Sequence, residues 1–469
     1  MPKTLQDTMP ESTYLWQTQF SAMAALMNIV GLGMISAFTA SATMSMKSPG
    51  SRFSFISSNQ ITWVASLPSI AAIFGNLLSG YLSLKIGRKA VMMCASVPLV
   101  IGWLMIAYAP TILWLYSGRL LSGFSSGMYS VAVPAYVIEI ATIRIRGFLC
   151  SCYQVSYTIG VLIAMLLGIS ITWSWLAIVG AFLSTSAAFF MYFIPESPPW
   201  LIANEKYSEA VESFRALKGG DADILLESSN ANEQHFIEQP QSTVSFREFK
   251  KPELYKPIVL SIGLVFFQQF SGINALMAYT VEIFEHAESS VDPSIAAGIV
   301  AGVQVLATSV GSVLVDKNGR TKLYAISGIF VSIGLITLGI YGILVKKLAL
   351  QTETYGWIPL ASFIVFVASF SLGYGPIPYL MTPEFVPLHC RSAVLAISGV
   401  FSSLFLFFVT KTFDDFRYFL SDYGVYWVYG FFSVLGCLFC WFCLPETKGK
   451  SLHEIQYSFQ NYANINDAQ

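Results

Sequence analysis

Windows of about 20 apolar residues, separated by short polar turns, recur along the whole chain. That is the length an α-helix needs to cross a bilayer core of roughly 30 Å. They predict twelve spans, at approximately 19–43, 61–84, 90–109, 112–138, 148–170, 173–194, 256–284, 294–316, 323–345, 357–382, 392–413 and 424–444. A polar segment, 203–256, separates the sixth span from the seventh. Within it, Val211, Phe214 and Leu217 fall on one side of a short amphipathic helix over Tyr207–Leu217. Residues 221–241 carry scattered charge, and no structure is assigned to them. The pattern describes an all-α membrane protein with four parts: a six-helix bundle at 1–202, a cytoplasmic linker at 203–256, a second six-helix bundle at 257–445 and a tail at 446–469.

One stretch breaks the apolar rule. Inside the run Pro257–Phe284 lies Phe266-Phe267-Gln268-Gln269-Phe270-Ser271-Gly272-Ile273-Asn274, with three side-chain amides in seven residues. An amide in hydrocarbon is costly without a partner, so this helix must face water, a polar ligand or another helix. A bend at Gly272 turns Gln268, Gln269 and Asn274 towards one cavity. Amides are neutral two-way hydrogen-bonders, matched to hydroxyl groups rather than to charged ligands. Gln154 is a further amide in an otherwise apolar or small-residue span. Further on, Gly373, Gly375, Pro376 and Pro378 interrupt the tenth span, where missing backbone donors favour a kink that can act as a hinge.

Composition agrees. Of 469 residues, 55% are hydrophobic and 11% charged, against about a quarter charged in soluble domains. The net charge of −1 points to no nucleic-acid partner. Lys and Arg concentrate in the loops after spans two, four, eight and ten, which puts both termini and the central segment in the cytoplasm. The polar start, Met1 to Tyr14, lacks a basic-then-apolar signal pattern, so the first span is expected to direct insertion itself. The seven cysteines fall in spans or at their cytoplasmic ends. That suggests neither a disulfide framework nor a metal comb, and Cys437, Cys440 and Cys443 read as small packing residues.

The two halves also repeat. Gly87-Arg88-Lys89 returns as Gly319-Arg320-Thr321, Glu139 with Arg146 as Glu384 with Arg391, and Pro195-Glu196-Ser197 as Pro445-Glu446-Thr447. Each Glu–Arg pair is seven residues apart, about two helical turns. With Arg88, Asp316 and Arg320 they make a candidate ring of ion pairs at the cytoplasmic mouth. Each pair is worth only about 0–1 kcal/mol when exposed, which suits a releasable gate. Parallel repeats of this kind suit two bundles rocking about a midplane site.

These paired motifs, together with Gln268–Asn274 and Gly373-Tyr374-Gly375-Pro376-Ile377-Pro378, closely resemble the sugar porters of the major facilitator superfamily over about residues 15–455. Pro195–Trp200 and Val409-Thr410-Lys411-Thr412-Phe413 look most like the facilitated trehalose transporter-like branch, a relative of the facilitative glucose transporters. The resemblance implies that Gln268, Gln269, Asn274 and Gln154 bind sugar hydroxyls. It puts Gln304 where an asparagine is usual, Tyr379 where a tryptophan is usual, and Tyr279 at the external lid. Leu84, Pro199, Ser402 and Ser403 depart from the family pattern.

No Asp or Glu lies within span one, where proton-coupled sugar porters carry an aspartate. A proton-coupled carrier needs a group that titrates inside the membrane. The expected activity is therefore uniport of a neutral sugar across the plasma membrane, without a cofactor. A proton-coupled symporter and a non-transporting sugar sensor are the alternatives. There is no nucleophile–base set, nucleotide loop or metal cluster to suggest an enzyme, and no obligate protein partner is evident beyond the lipid bilayer.

Overall fold

The computed structural model describes residues 12–141, 146–218, 252–287, 289–348, 352–386 and 391–446. The first six spanning helices are α1 (Ser12–Lys47), α2 (Ser58–Lys85), α3 (Arg88–Ala107), α4 (Ile112–Ile140), α5 (Arg146–Ser170) and α6 (Trp173–Phe193). Two short helices follow, α7 (Pro198–Ala203) and α8 (Tyr207–Lys218), the second of which is the amphipathic helix expected from the sequence. The later spans are α9 (Pro252–Phe270) continued by α10 (Ile273–Ala278) and α11 (Thr280–His286), then α12 (Pro293–Asn318) and α13 (Arg320–Leu348). After the short α14 (Thr352–Tyr355) come α15 (Ile358–Ser369), a π-turn over Phe370–Tyr374, α16 (Pro376–Glu384), α17 (Arg391–Lys411) and α18 (Phe413–Cys443). Among the described residues, eleven helical segments are long and apolar enough to cross a membrane. The twelfth crossing is α4, which is rich in Ser and Gly, carries Arg119, and packs against α2 and α3.

Helix starts are written locally. Ser57 and Gln60 form a reciprocal capping box at α2, with bonds of 3.3 and 3.0 Å. Asp292 accepts from Ser294 N and Ile295 N at 2.9 and 3.2 Å ahead of α12. Two other helices take their caps from far along the chain. Glu196 accepts the backbone N–H groups of Arg88 and Lys89 at 3.0 Å each, and Glu446 accepts those of Arg320 and Thr321 at 3.0 and 3.1 Å. Gly87 and Gly319 precede these helices at φ 98 and 87, in the region that favours glycine. The repeated Gly-Arg and Pro-Glu motifs are thus two sides of one device, a carboxylate set on a helix N-terminus.

In the first half α1 packs on α5 and α6, and α2 and α3 pack on α4; in the second, α13 packs on α15 and α18, and α9 on α17 and α18. The halves meet along α2 with α17 and α5 with α12. The end of the molecule that carries α7, α8 and both Glu caps is called the linker end here, and the opposite end the far end. At the far end α1 also touches α10 and α11.

The bend expected at Gly272 is present: α9 ends at Phe270 and α10 restarts at Ile273, with Gly272 at φ 79, and a second break falls at Tyr279. One expectation needs correction. Residues 414–422, read from sequence as a loop, are helical and belong to α18 up to a kink at Ser421 (φ 64, ψ 165). Arg417 gathers two of these acids: Asp414, three residues back, at 3.7 Å within helical reach, and Asp422 at 2.6 Å across the kink. Residues 221–241 lie outside the described part of the chain.

A polar cavity between the two halves

A cavity of about 680 Å³ lies between the two sets of helices, inside the ~300–1,000 Å³ range of small-molecule sites. Gln154, Gln268, Gln269, Asn274, Gln304 and Tyr379 all line it. All six candidate ligand residues therefore share one wall system, contributed by α5, α9, α10, α12 and α16.

The break at Gly272 produces the arrangement. With α9 ending and α10 restarting, Asn274 Nδ2 turns back to donate to Gln269 Oε1 at 2.7 Å, and Gln269 Nε2 donates to Ser402 Oγ of α17 at 3.1 Å. These three form a linked amide platform. Gln268 has a different role: its Nε2 donates to the Gly375 carbonyl at 2.5 Å. Its Oε1 is buried without a partner, as is Oε1 of Gln304. Both side chains are nearly inaccessible, at 3% and 4% exposure. These two unmet acceptors are turned away from the open space of the cavity, and each is costly to leave unpaired. Gln154 is half-buried, and Tyr379 is 43% exposed, its ring 6.4 Å from Tyr153 across the seam.

At the expected hinge the chain does not break; it widens. Gly375 N–H donates to Phe370 O at 2.8 Å, closing a π-turn, and the backbone stays in the right-handed helical region from Phe370 to Gly375. Pro376 and Pro378 cannot donate, and one extra residue per turn re-aims α16. Tyr374 stacks on Tyr324 at 4.3 Å. Gly373 is buried beside Ser327 and Leu323 of α13. Tyr279 ends α10 at the far end, 3% exposed and stacked on Phe413 at 4.9 Å.

Of the proposed ion-pair ring, Arg88 and Glu139 are paired at 2.8 Å. This pair joins α3 to α4 within the first half, and Ser197 Oγ also bonds Glu139. Arg320 lines the cavity near the linker end. The side chains of Arg146, Asp316, Glu384 and Arg391 lie outside those the structure describes.

Sequence reasoning passed over several cavity residues. Arg119, 1% exposed, donates Nε to Val64 O and Nη1 to Ile35 O, both at 2.8 Å. Pro68 sits four residues after Val64 and has no N–H, so the Val64 carbonyl lacks its helical donor and Arg119 supplies one. That pairing was legible as a proline inside span two and a lone arginine inside span four. Asn76 Nδ2 donates to Ser403 Oγ at 3.0 Å, and Ser130 Oγ donates to Asn76 Oδ1 at 2.6 Å, bridging α2, α4 and α17.

A family model described as sugar (and other) transporter matches residues 15–459. The chain belongs to that family. This member of the family is 34% identical over 441 residues to a facilitated trehalose transporter Tret1 of Apis mellifera ligustica, covering 94% of this chain and 87% of that one. It is also 34% identical to the Aedes aegypti Tret1, with 94% of this chain matched, but it spans only 55% of that relative. Among solved structures, it superimposes on the proton:xylose symporter XylE bound to 6-bromo-6-deoxy-D-glucose, with a TM-score of 0.78, 24% identity, and 96% and 100% of the two chains covered. An inward open form of XylE from E. coli gives 0.73 at 24% identity, with 93% of this chain and 98% of that one covered. At that identity the likeness establishes the major facilitator fold alone.

Proposed function

We propose that this transporter is a facilitative uniporter of a neutral sugar, trehalose or a hexose, in the plasma membrane, with both termini and the 203–256 linker in the cytoplasm. The observation that carries the reading is the convergence of five side-chain amides and the Tyr379 hydroxyl, from both halves, on one cavity of about 680 Å³. In this reading Gln154, Gln268, Gln269, Asn274, Gln304 and Tyr379 hold the sugar. Tyr279 and the π-turn around Gly373, Gly375, Pro376 and Pro378 are the moving parts. Arg88, Glu139, Arg146, Asp316, Arg320, Glu384 and Arg391 bias the cytoplasmic mouth. The halves 1–202 and 257–445 rock as two bodies, with 446–469 as a tail.

The Tret1 relatives, facilitated trehalose transporters by name, support facilitated trehalose transport. Two further observations argue against proton coupling. Helix α1 contains no Asp or Glu. Arg119, the buried cation at the cavity, is bound to two backbone carbonyls and the Thr39 hydroxyl, with no carboxylate partner among the described residues. The conformation fits one stage of alternating access. The far end is bridged between the halves, while the cavity lining continues to Ile138, Thr382 and Arg320 towards the linker end. Uptake of trehalose, glucose and fructose into liposomes, with and without a pH gradient, tests the reading. Flux that follows the sugar gradient and ignores pH and protonophore is expected; accumulation driven by a proton gradient overturns it.

A further inference from the structure

Lys411 belongs to the motif Val409-Thr410-Lys411-Thr412-Phe413 at the end of α17. Its Nζ crosses the seam between the halves at the far end. It donates to Asn59 Oδ1 at 2.9 Å and to Thr62 Oγ1 at 3.0 Å, and lies 4.9 Å over the ring of Trp63. The receiving surface is prepared in advance: Thr62 Oγ1 is fixed on Asn59 O at 2.8 Å, and Trp63 packs against Phe407 at 6.3 Å. The first turns of α2 thus form a small cradle for one ammonium group.

The chemistry of the contact suits a reversible catch. No carboxylate among the described residues is paired with Lys411; an amide oxygen, a hydroxyl and a π face meet its charge. Breaking the contact therefore leaves no buried acid behind, and the long lysine stem can return its ammonium to water at the membrane surface. An ion pair buried in the same seam would be far harder to open.

Its helix also ties the contact to the sugar site. Thr410 lines the cavity, and nine residues before Lys411 the Ser402 hydroxyl accepts from Gln269 while Ser403 beside it accepts from Asn76. Nine residues of α-helix span about 13.5 Å, so one uninterrupted helix, α17, touches the amide platform at mid-depth and the cradle at its far end.

We infer that Lys411 is a positioning residue of the transport cycle. It latches the C-terminal half to α2 and holds the far end shut while the cavity is reached from the linker end, and it lets go when the far end opens. The inference rests on the alternating-access reading above.

The test separates the two. Spin labels are placed at Phe55→Cys and Tyr418→Cys, exposed far-end positions in opposite halves, in a cysteine-replaced background reconstituted in liposomes. Sugar flux through the unlatched and parent proteins is measured alongside. Lys411→Met keeps the stem and removes the donor. It should raise the population with widely separated labels about 3- to 10-fold, the scale of one charged hydrogen bond discounted for water. Asn59→Ala combined with Thr62→Val should do the same from the other side, and all three changes together should add nothing more. Lys411→Arg should restore most of the closed population. A distance distribution unmoved by both Lys411→Met and the α2 pair overturns the latch. Absent flux in the parent with a moved distribution would instead overturn uniport and leave the latch standing.

Discussion

Gln304→Met is the sharpest probe of the sugar site, because it should move two properties in opposite directions. The Gln304 amide sits in the cavity wall at 4% exposure with Oε1 unpartnered. A stranded acceptor costs about 1–3 kcal/mol, and a thioether of nearly the same shape removes that cost without opening a void. The sugar-free variant should therefore be more stable than the parent, by up to about that amount. In the loaded state the parent amide is expected to turn its polar end towards the sugar and gain one neutral hydrogen bond, worth about 0.5–1.5 kcal/mol net. Its loss should weaken sugar binding about 2- to 12-fold. Thermal unfolding in detergent, with and without sugar, reads the first quantity, and calorimetric titration with whichever sugar the parent binds reads the second. A variant that binds as tightly as the parent, or that melts earlier without sugar, refutes the reasoning.

The other predictions concern the frame around the site. Glu196→Gln and Glu446→Gln weaken the caps of α3 and α13, and each should cost about 0.5–2 kcal/mol in thermal stability; no loss in either would remove the capping account of the repeated motifs. Gly87→Ala should cost at least as much as Glu196→Gln, because it adds a positive-φ penalty of about 1–2 kcal/mol to a Cβ that meets the Glu196 carboxylate. Arg119→Met strands the Val64 carbonyl, which Pro68 leaves without a helical donor, at about 1–3 kcal/mol, whereas the Ile35 carbonyl lies within the continuous helix α1. Adding Pro68→Ala gives Val64 O a helical donor and should recover most of that cost, read as folded yield; no recovery would show that Pro68 is not the reason for the contact.

Much of this was open to reading in the chain itself. Span lengths, the amphipathic stretch at Tyr207 and the bend at Gly272 follow from hydropathy and glycine, since in lipid the backbone must satisfy itself within helices. The amides at 268, 269 and 274 stood out because polar groups are rare in an apolar run. Less accessible was how they divide the work. Nothing local says that Gln268 anchors the Gly375 carbonyl while Gln269 and Asn274 hold each other; that depends on where α16 and α17 arrive. The kink at Ser421 was also hidden, because the charges of 414–422 look like a loop until Arg417 gathers them. Glu196 and Glu446 were visible as a repeat, but their target, about a hundred residues upstream in each case, belongs to tertiary structure.

Those two distant carboxylates have a consequence for how the chain is assembled. Each cap is supplied by the closing residues of its own half to the start of that half's third span, so each set of six helices is buckled by its own sequence. Covalent continuity through the central segment is not what keeps α3 or α13 in place. Two polypeptides divided between Lys218 and Pro252 would each carry a complete clasp, and co-expressed they would still have every pairing that joins start to finish within a half. The joint between the halves is then left to the noncovalent contacts of α2 with α17 and α5 with α12.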